Sequence, residues 1–176
     1  MKTIDKYLFQ ALDNYPYSLE ETIESLDYAF SYDAKNTMVL CLYGRIQAEQ
    51  LLNYEEAKHY FQEALAINIH ALEVYPHYLQ TLIVNEDYDE AQRLIDFALT
   101  IKGINKSDIY VKKSILCEAQ QQFEEALAAI KKAKLSTLQF PFESDITEVE
   151  KRIQDKIDLL KNKKQKSKKD SKKKSK

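Results

Sequence analysis

The chain has 176 residues, long enough to bury one good core and most simply a single domain. Two Gly and three Pro leave little for tight turns, phosphate loops or strand hairpins, so helices joined by short connections become the default. The net charge of −2 conceals two opposite segments: Lys161–Lys176 carries ten Lys against Asp170, a net of +9, which leaves −11 on residues 1–160. No run approaches the roughly 18 apolar residues of a membrane span. The start, "MKTIDKYLFQAL", puts Asp5 and Lys6 where a signal peptide keeps its apolar stretch. A soluble, cytoplasmic protein is expected. Cys41 and Cys117 lie far apart in apolar helical patterns, which reads as two buried free thiols in a reducing compartment.

In chain order, the first amphipathic stretch with a stripe of small residues holds Leu19, Thr22, Leu26 and Ala29. "LYGRI", Leu42–Ile46, follows and places Gly44 inside a helix, where it costs about 1 kcal/mol relative to Ala unless a neighbour packs close. Next comes "NYEEAKHYFQEALAIN", Asn53–Asn68, with Tyr54, Ala57, Phe61 and Ala64. Pro76 then falls in the first turn of a helix that starts near Leu72 or Glu73, where its missing N–H has no partner to lose. "DYDEAQRLIDFALTI" begins at Asp87 with Tyr88, Ala91, Ile95 and Ala98, and "KGINKSD" is the longest connection, with Gly103 suited to a left-handed helix end. "QFEEALAAIKKAKL" begins at Gln122 with Phe123, Ala126, Ile130 and Ala133.

The four stretches are one pattern. Ala57, Ala91 and Ala126 are spaced by 34 and 35, a second alanine follows each by seven, and Ala29 precedes Ala64 by 35. Seven positions are about two helical turns, so both small side chains share a face and admit a neighbouring helix near the low end of the usual ~8–10 Å spacing. Thr22 takes the first small place in the earliest copy. After Phe142 the register changes: Ile146, Val149, Ile153, Ile157 and Leu160 form one apolar stripe, with Asp145 as N-cap and Glu148 completing a capping box. Residues 161–176 have no aromatic or aliphatic side chain to bury and are expected to be disordered.

These residues resemble the tetratricopeptide repeat (TPR), a helix–turn–helix unit of 34 residues, over roughly Thr3 to Phe140. The resemblance implies an all-α, right-handed superhelix (an α-solenoid) of about four helix pairs. The array is expected over 1–140, in copies near 3–36, 37–71, 72–106 and 107–140. A C-terminal capping helix over 141–160 and the basic tail 161–176 follow. Gly44 and the alanines, with Thr22 once, match the family's small positions. The chain departs from the pattern in having no Trp, in Ala34 and Ile69 where a closing Pro belongs, and in an "EQLLNY" turn one residue too long.

Chemistry is poorly provided for. Glu56 and His59 have the E-x-x-H spacing of di-iron bundles, but no second pair occurs, and neither H-E-x-x-H, paired Cys nor a phosphate loop is present. No enzyme, metal or cofactor is expected. In the family the first helices line a concave surface that takes peptides. Counting from each repeat's start places Tyr7, Asn14, Arg45, Glu49, His77, Gln80 and Lys112 on that lining, each also readable as an ordinary half-exposed polar residue. The carboxylate clamp for acidic chaperone tails is not expected, because Tyr7, Ala11, Leu42, Glu73 and His77 hold its positions. The expected function is a non-catalytic scaffold that holds a partner segment of a protein. The alternative is a tether whose Lys-rich tail contacts nucleic acid, ribosome or anionic membrane without sequence readout. The tail is also readable as a solubilising or self-screening segment lying near its own acidic body.

Overall fold

Three helices of this chain begin at an Asn side-chain acceptor, and three helix–helix turns close on a left-handed residue. Asn36, Asn53 and Asn105 accept from the backbone N–H groups of Met38, Glu56 and Asp108 at 3.0, 3.4 and 3.4 Å. Leu52, Glu86 and Gln121 have φ of 54, 63 and 61°, and none is glycine. They recur at the repeat spacing, in the turns that lead into the helices starting at Tyr54, Tyr88 and Phe123. The computed structural model describes residues 6–137 and 143–173, with side-chain surroundings for 6–137 and 146–161.

Every regular element among the described residues is helical. One compact unit runs through Ile104 and a second starts at Asn105. The first unit holds α1 (Lys6–Asn14) paired with α2 (Leu19–Tyr32), α3 (Thr37–Arg45) with α4 (Tyr54–Ile67), and α5 (Val74–Val84) with α6 (Tyr88–Ala98). Between α3 and α4 a π-helical turn spans Ile46–Gln50. Pro76 is the third residue of α5, inside the first turn. Gly103, at φ 91°, lies in the loop well past Ala98, so it does not end α6 itself.

The π turn accounts for the long "EQLLNY" connection. Leu51 N–H reaches back five residues to the Ile46 carbonyl at 3.1 Å, and Asn53 N–H reaches six to Gln47 at 2.8 Å. In the other two turns the matching bonds, Asp87 to Leu82 and Gln122 to Cys117, reach only five. The additional residue is therefore absorbed inside the helix, and the same left-handed closure serves all three turns.

Thr22, Ala29, Ala57, Ala64, Ala91, Ala98, Ala126 and Ala133 are all fully buried. Gly44 shows why the small residue is needed: a Cβ there would meet ring carbons of Phe61 at 2.6, 2.8 and 2.9 Å, and Phe61 is itself fully buried. The ring of α4 thus sits directly on the backbone of α3. Cys41 and Cys117 are buried and unpaired, and burial pushes the Cys41 thiol up to about 12 although Arg45 opposes it.

The second unit holds α7 (Lys106–Ala119), α8 (Phe123–Ser136) and α9 (Glu143–Lys173). Ser107 and Ser114 of α7 donate to the Ala133 and Ala126 carbonyls of α8 at 3.0 and 2.9 Å, so their buried hydroxyls are satisfied across the pair. Ile146, Val149, Ile153 and Ile157 of α9 are buried against that pair. Leu160 leaves the stripe and is 43% exposed, because α9 has by then outrun what it covers. The helix starts at Glu143, so Asp145 belongs to its first turn and is not its N-cap. The backbone stays helical through Lys173, past the boundary expected at 160. After Pro141 there is neither Gly nor Pro to stop it, and Lys and Gln are good helix formers. The disorder expected of 161–176 concerns side chains from 162 onward and residues 174–176, which lie outside the described residues.

Candidate partner-binding groove

Three successive first helices of the first unit contribute to one polar cluster. Tyr15 follows the last residue of α1, Arg45 ends α3, Glu49 lies in the π turn and His77 is in α5. The Arg45 guanidinium sits over the Tyr15 ring, 4.5 Å from its centroid, and its Nε lies 3.3 Å from Glu49 Oε1. The Tyr15 hydroxyl donates to Glu49 Oε2, and His77 Nδ1 stands 3.6 Å from Glu49 Oε1. Tyr15 is buried, while Arg45, His77 and Glu49 are partly open to water.

Electrostatics keep the cluster ionic. Burial works to raise the Glu49 carboxyl, but the nearby His77 ring, hydrogen bonds from Tyr15 and Arg45 and the guanidinium charge outweigh it and hold it down at about 2. Burial, aided by the adjacent carboxylate, pushes Tyr15 up to about 12. Neither value lies near neutrality, where an acid–base catalyst works best. Such a cluster suits recognition: a half-exposed cation and carboxylate on a buried aromatic base, able to trade internal contacts for a ligand's polar groups.

Arg45, Glu49 and His77 are thus brought together. Tyr7 instead stacks on Tyr28 of α2, ring centroids 5.2 Å apart. Asn14 is half-buried and its carbonyl accepts from Tyr17 and Ser18 N–H at 2.8 and 3.0 Å. Gln80 is half-buried on α5, and Lys112 is half-buried on α7 of the second unit. Tyr15 is the member that counting along the repeat overlooks. Its signal was available: Tyr15 and Glu49 are 34 residues apart, so they occupy the same place in adjacent repeats and become neighbours.

No protein-family model matches the sequence, and no curated protein matches it significantly. Among solved structures, the crystal structure of a thermophilic TPR protein in Thermus thermophilus superposes with a TM-score of 0.67, at 14% identity, covering 84% of this chain and 79% of that one. The chain has a TPR-like fold. In TPR terms α1, α3 and α5 are first helices and α2, α4 and α6 second helices, so the Tyr15–Arg45–Glu49–His77 cluster is built on the first-helix side of the first unit. No helix among the described residues is long and apolar enough to cross a membrane.

Proposed function

We propose that the protein is a non-catalytic interaction scaffold whose first unit holds an extended segment of a partner protein against α1, α3 and α5. The observation that carries this reading is the four-residue cluster, in which three repeats converge on one ionised carboxylate under partial solvent exposure. Large side chains with polar tips on a rigid scaffold are the residues that most often carry binding energy. Ala11 and Leu42, where a chaperone-tail clamp needs Asn, are buried core residues, which supports a ligand other than an acidic chaperone tail.

The test is capture from the native host with the intact protein, compared with Arg45→Ala and His77→Ala. Both variants are expected to keep the melting temperature and lose the specifically captured protein. Capture of the same protein at the same yield by both variants would move the binding surface elsewhere.

A second reading rests on charge. Residues 1–104 carry seven basic and seventeen acidic side chains, a net of −10, and residues 105–176 carry nineteen and eleven, a net of +8. A tether that contacts polyanions through 161–176 follows from that separation. Removing 161–176 leaves capture intact under the scaffold reading; under the tether reading it abolishes retention and its salt dependence.

A further inference from the structure

Arg45 and Tyr43 are two residues apart in α3, about 200° around the helix, so the side of α3 opposite the groove cluster is aromatic. There Tyr43 stacks on Tyr60 of α4, with centroids 5.3 Å apart and planes 18° from parallel. Phe30 of α2 meets the Tyr43 ring edge-on, at 5.8 Å and 87°. The Tyr43 hydroxyl donates to Asp27 of α2. Phe30 is 37% exposed, and Tyr43 and Tyr60 are half-buried, so part of each ring stays open to water.

The charge around these rings is of one sign. From Leu19 to Tyr32, α2 has Glu20, Glu21, Glu24 and Asp27 and neither Lys nor Arg. On α4, Glu56 and Glu63 flank Tyr60; burial raises its phenol pKa, and Glu56, Glu63 and Asp27 raise it further. The one Lys of α4, Lys58, is held by Glu55 at 2.7 Å and Asp87 at 2.8 Å. Exposed π faces attract ammonium groups, and the surrounding carboxylates add long-range attraction. The same carboxylates repel phosphate backbones, anionic lipid and acidic peptides.

We propose that the Phe30–Tyr43–Tyr60 face, with Asp27, Glu56 and Glu63 around it, docks a lysine-rich segment of a partner protein, separately from the groove cluster on the other side of α3. Ammonium groups lie against the rings while the acids neutralise neighbouring lysines, so affinity falls steeply with salt.

The test uses the intact chain and a fluorescent octalysine peptide, read by anisotropy at low salt. Saturable binding is expected, with affinity about tenfold weaker in Tyr60→Ala. Glu63→Gln, an exposed change that leaves the rings in place, weakens it severalfold and keeps the result readable if Tyr60→Ala perturbs folding. Asp89→Asn on α6 makes the same charge change elsewhere and leaves binding unaltered. The proposal is overturned by absence of saturable binding, or by equal weakening in Asp89→Asn, which reports diffuse charge. It is also overturned if Arg45→Ala weakens binding as much as Tyr60→Ala does, which puts the peptide in the groove. Sedimentation of the chain alone tests one other occupant. Concentration-dependent association at low salt that Glu63→Gln removes assigns the face to the lysine run of a second copy and overturns the partner segment.

Discussion

Glu49 and Glu118 hold the same place in their repeats, three residues before the left-handed residues Leu52 and Gln121. Each meets the residue 34 positions away: Glu49 accepts from Tyr15, and Glu118 from Arg152, through two bonds of 2.9 and 2.7 Å. Their surroundings differ. The Glu49 side chain is 42% exposed, whereas that of Glu118 is 5% exposed and also accepts from Lys156 at 2.7 Å. Burial raises the Glu118 carboxyl, and the hydrogen bonds from Arg152 and Lys156 more than reverse it. Repeat geometry decides which positions meet, and water decides what the meeting does. In the second unit the pair fastens α9 to α7; in the first it stays exchangeable.

The largest effect is expected where the carboxylate is dry. Arg152→Ala leaves Glu118 buried with Lys156 alone and should cost about 2–3 kcal/mol, with faster amide exchange across Ile146–Ile157. Arg45→Ala, in its wetter counterpart, should cost no more than about 0.5 kcal/mol. Equal losses of melting temperature in the two variants would erase the contrast.

Next in size is packing in the first unit. Gly44→Ala gains about 1 kcal/mol of helix propensity yet forces a Cβ into the Phe61 ring. A net loss of about 1–2 kcal/mol is expected, much of it recovered in a Phe61→Leu background. An additive double variant would mean that this contact does not limit how closely α3 and α4 approach.

A smaller effect concerns acid. Glu49 is depressed in the folded state from 4.5 to about 2, so its contribution is present above about pH 4.5 and disappears as pH falls towards 2. Solvent screening limits it to about 1 kcal/mol at most. Melting curves of Glu49→Gln should therefore fall less steeply than those of the parent between pH 5 and 2; identical slopes would show that the cluster adds nothing to folding. Smallest is Gln121→Gly, which relieves a left-handed side chain and should stabilise by about 0.5 kcal/mol, with Leu52→Gly similar if the π turn leaves the closure undisturbed. Opposite signs would distinguish the two turns.

The helical repeat was legible because Ala57, Ala91 and Ala126 satisfy a single constraint, helix against helix, that leaves a periodic trace. The polar cluster was only partly legible because contact there crosses repeats. Arg45, Glu49 and His77 could be reached by counting, but Tyr15 sits one residue beyond the counted position and is revealed by its pairing. Leu52, Glu86 and Gln121 gave no sign of their left-handed φ, since turn rules point to Gly or Asn. At α9 the sequence rule failed for a different reason: an apolar period shows which residues face a neighbour, not where that neighbour stops, so Leu160 kept the period and lost its cover.

The wide turn at Ile46–Gln50 makes the second repeat editable by a single codon. Removing Gln47 would bring the spacing from Ala29 to Ala64 back to the family's 34 and let an ordinary α-helix run into the Leu52 closure. The carboxylate beneath Arg45 would then stand three residues after it instead of four, and its place beside Tyr15 and His77 would change. The oversized coil is where one surplus residue sets the place of a carboxylate without altering the turn that follows.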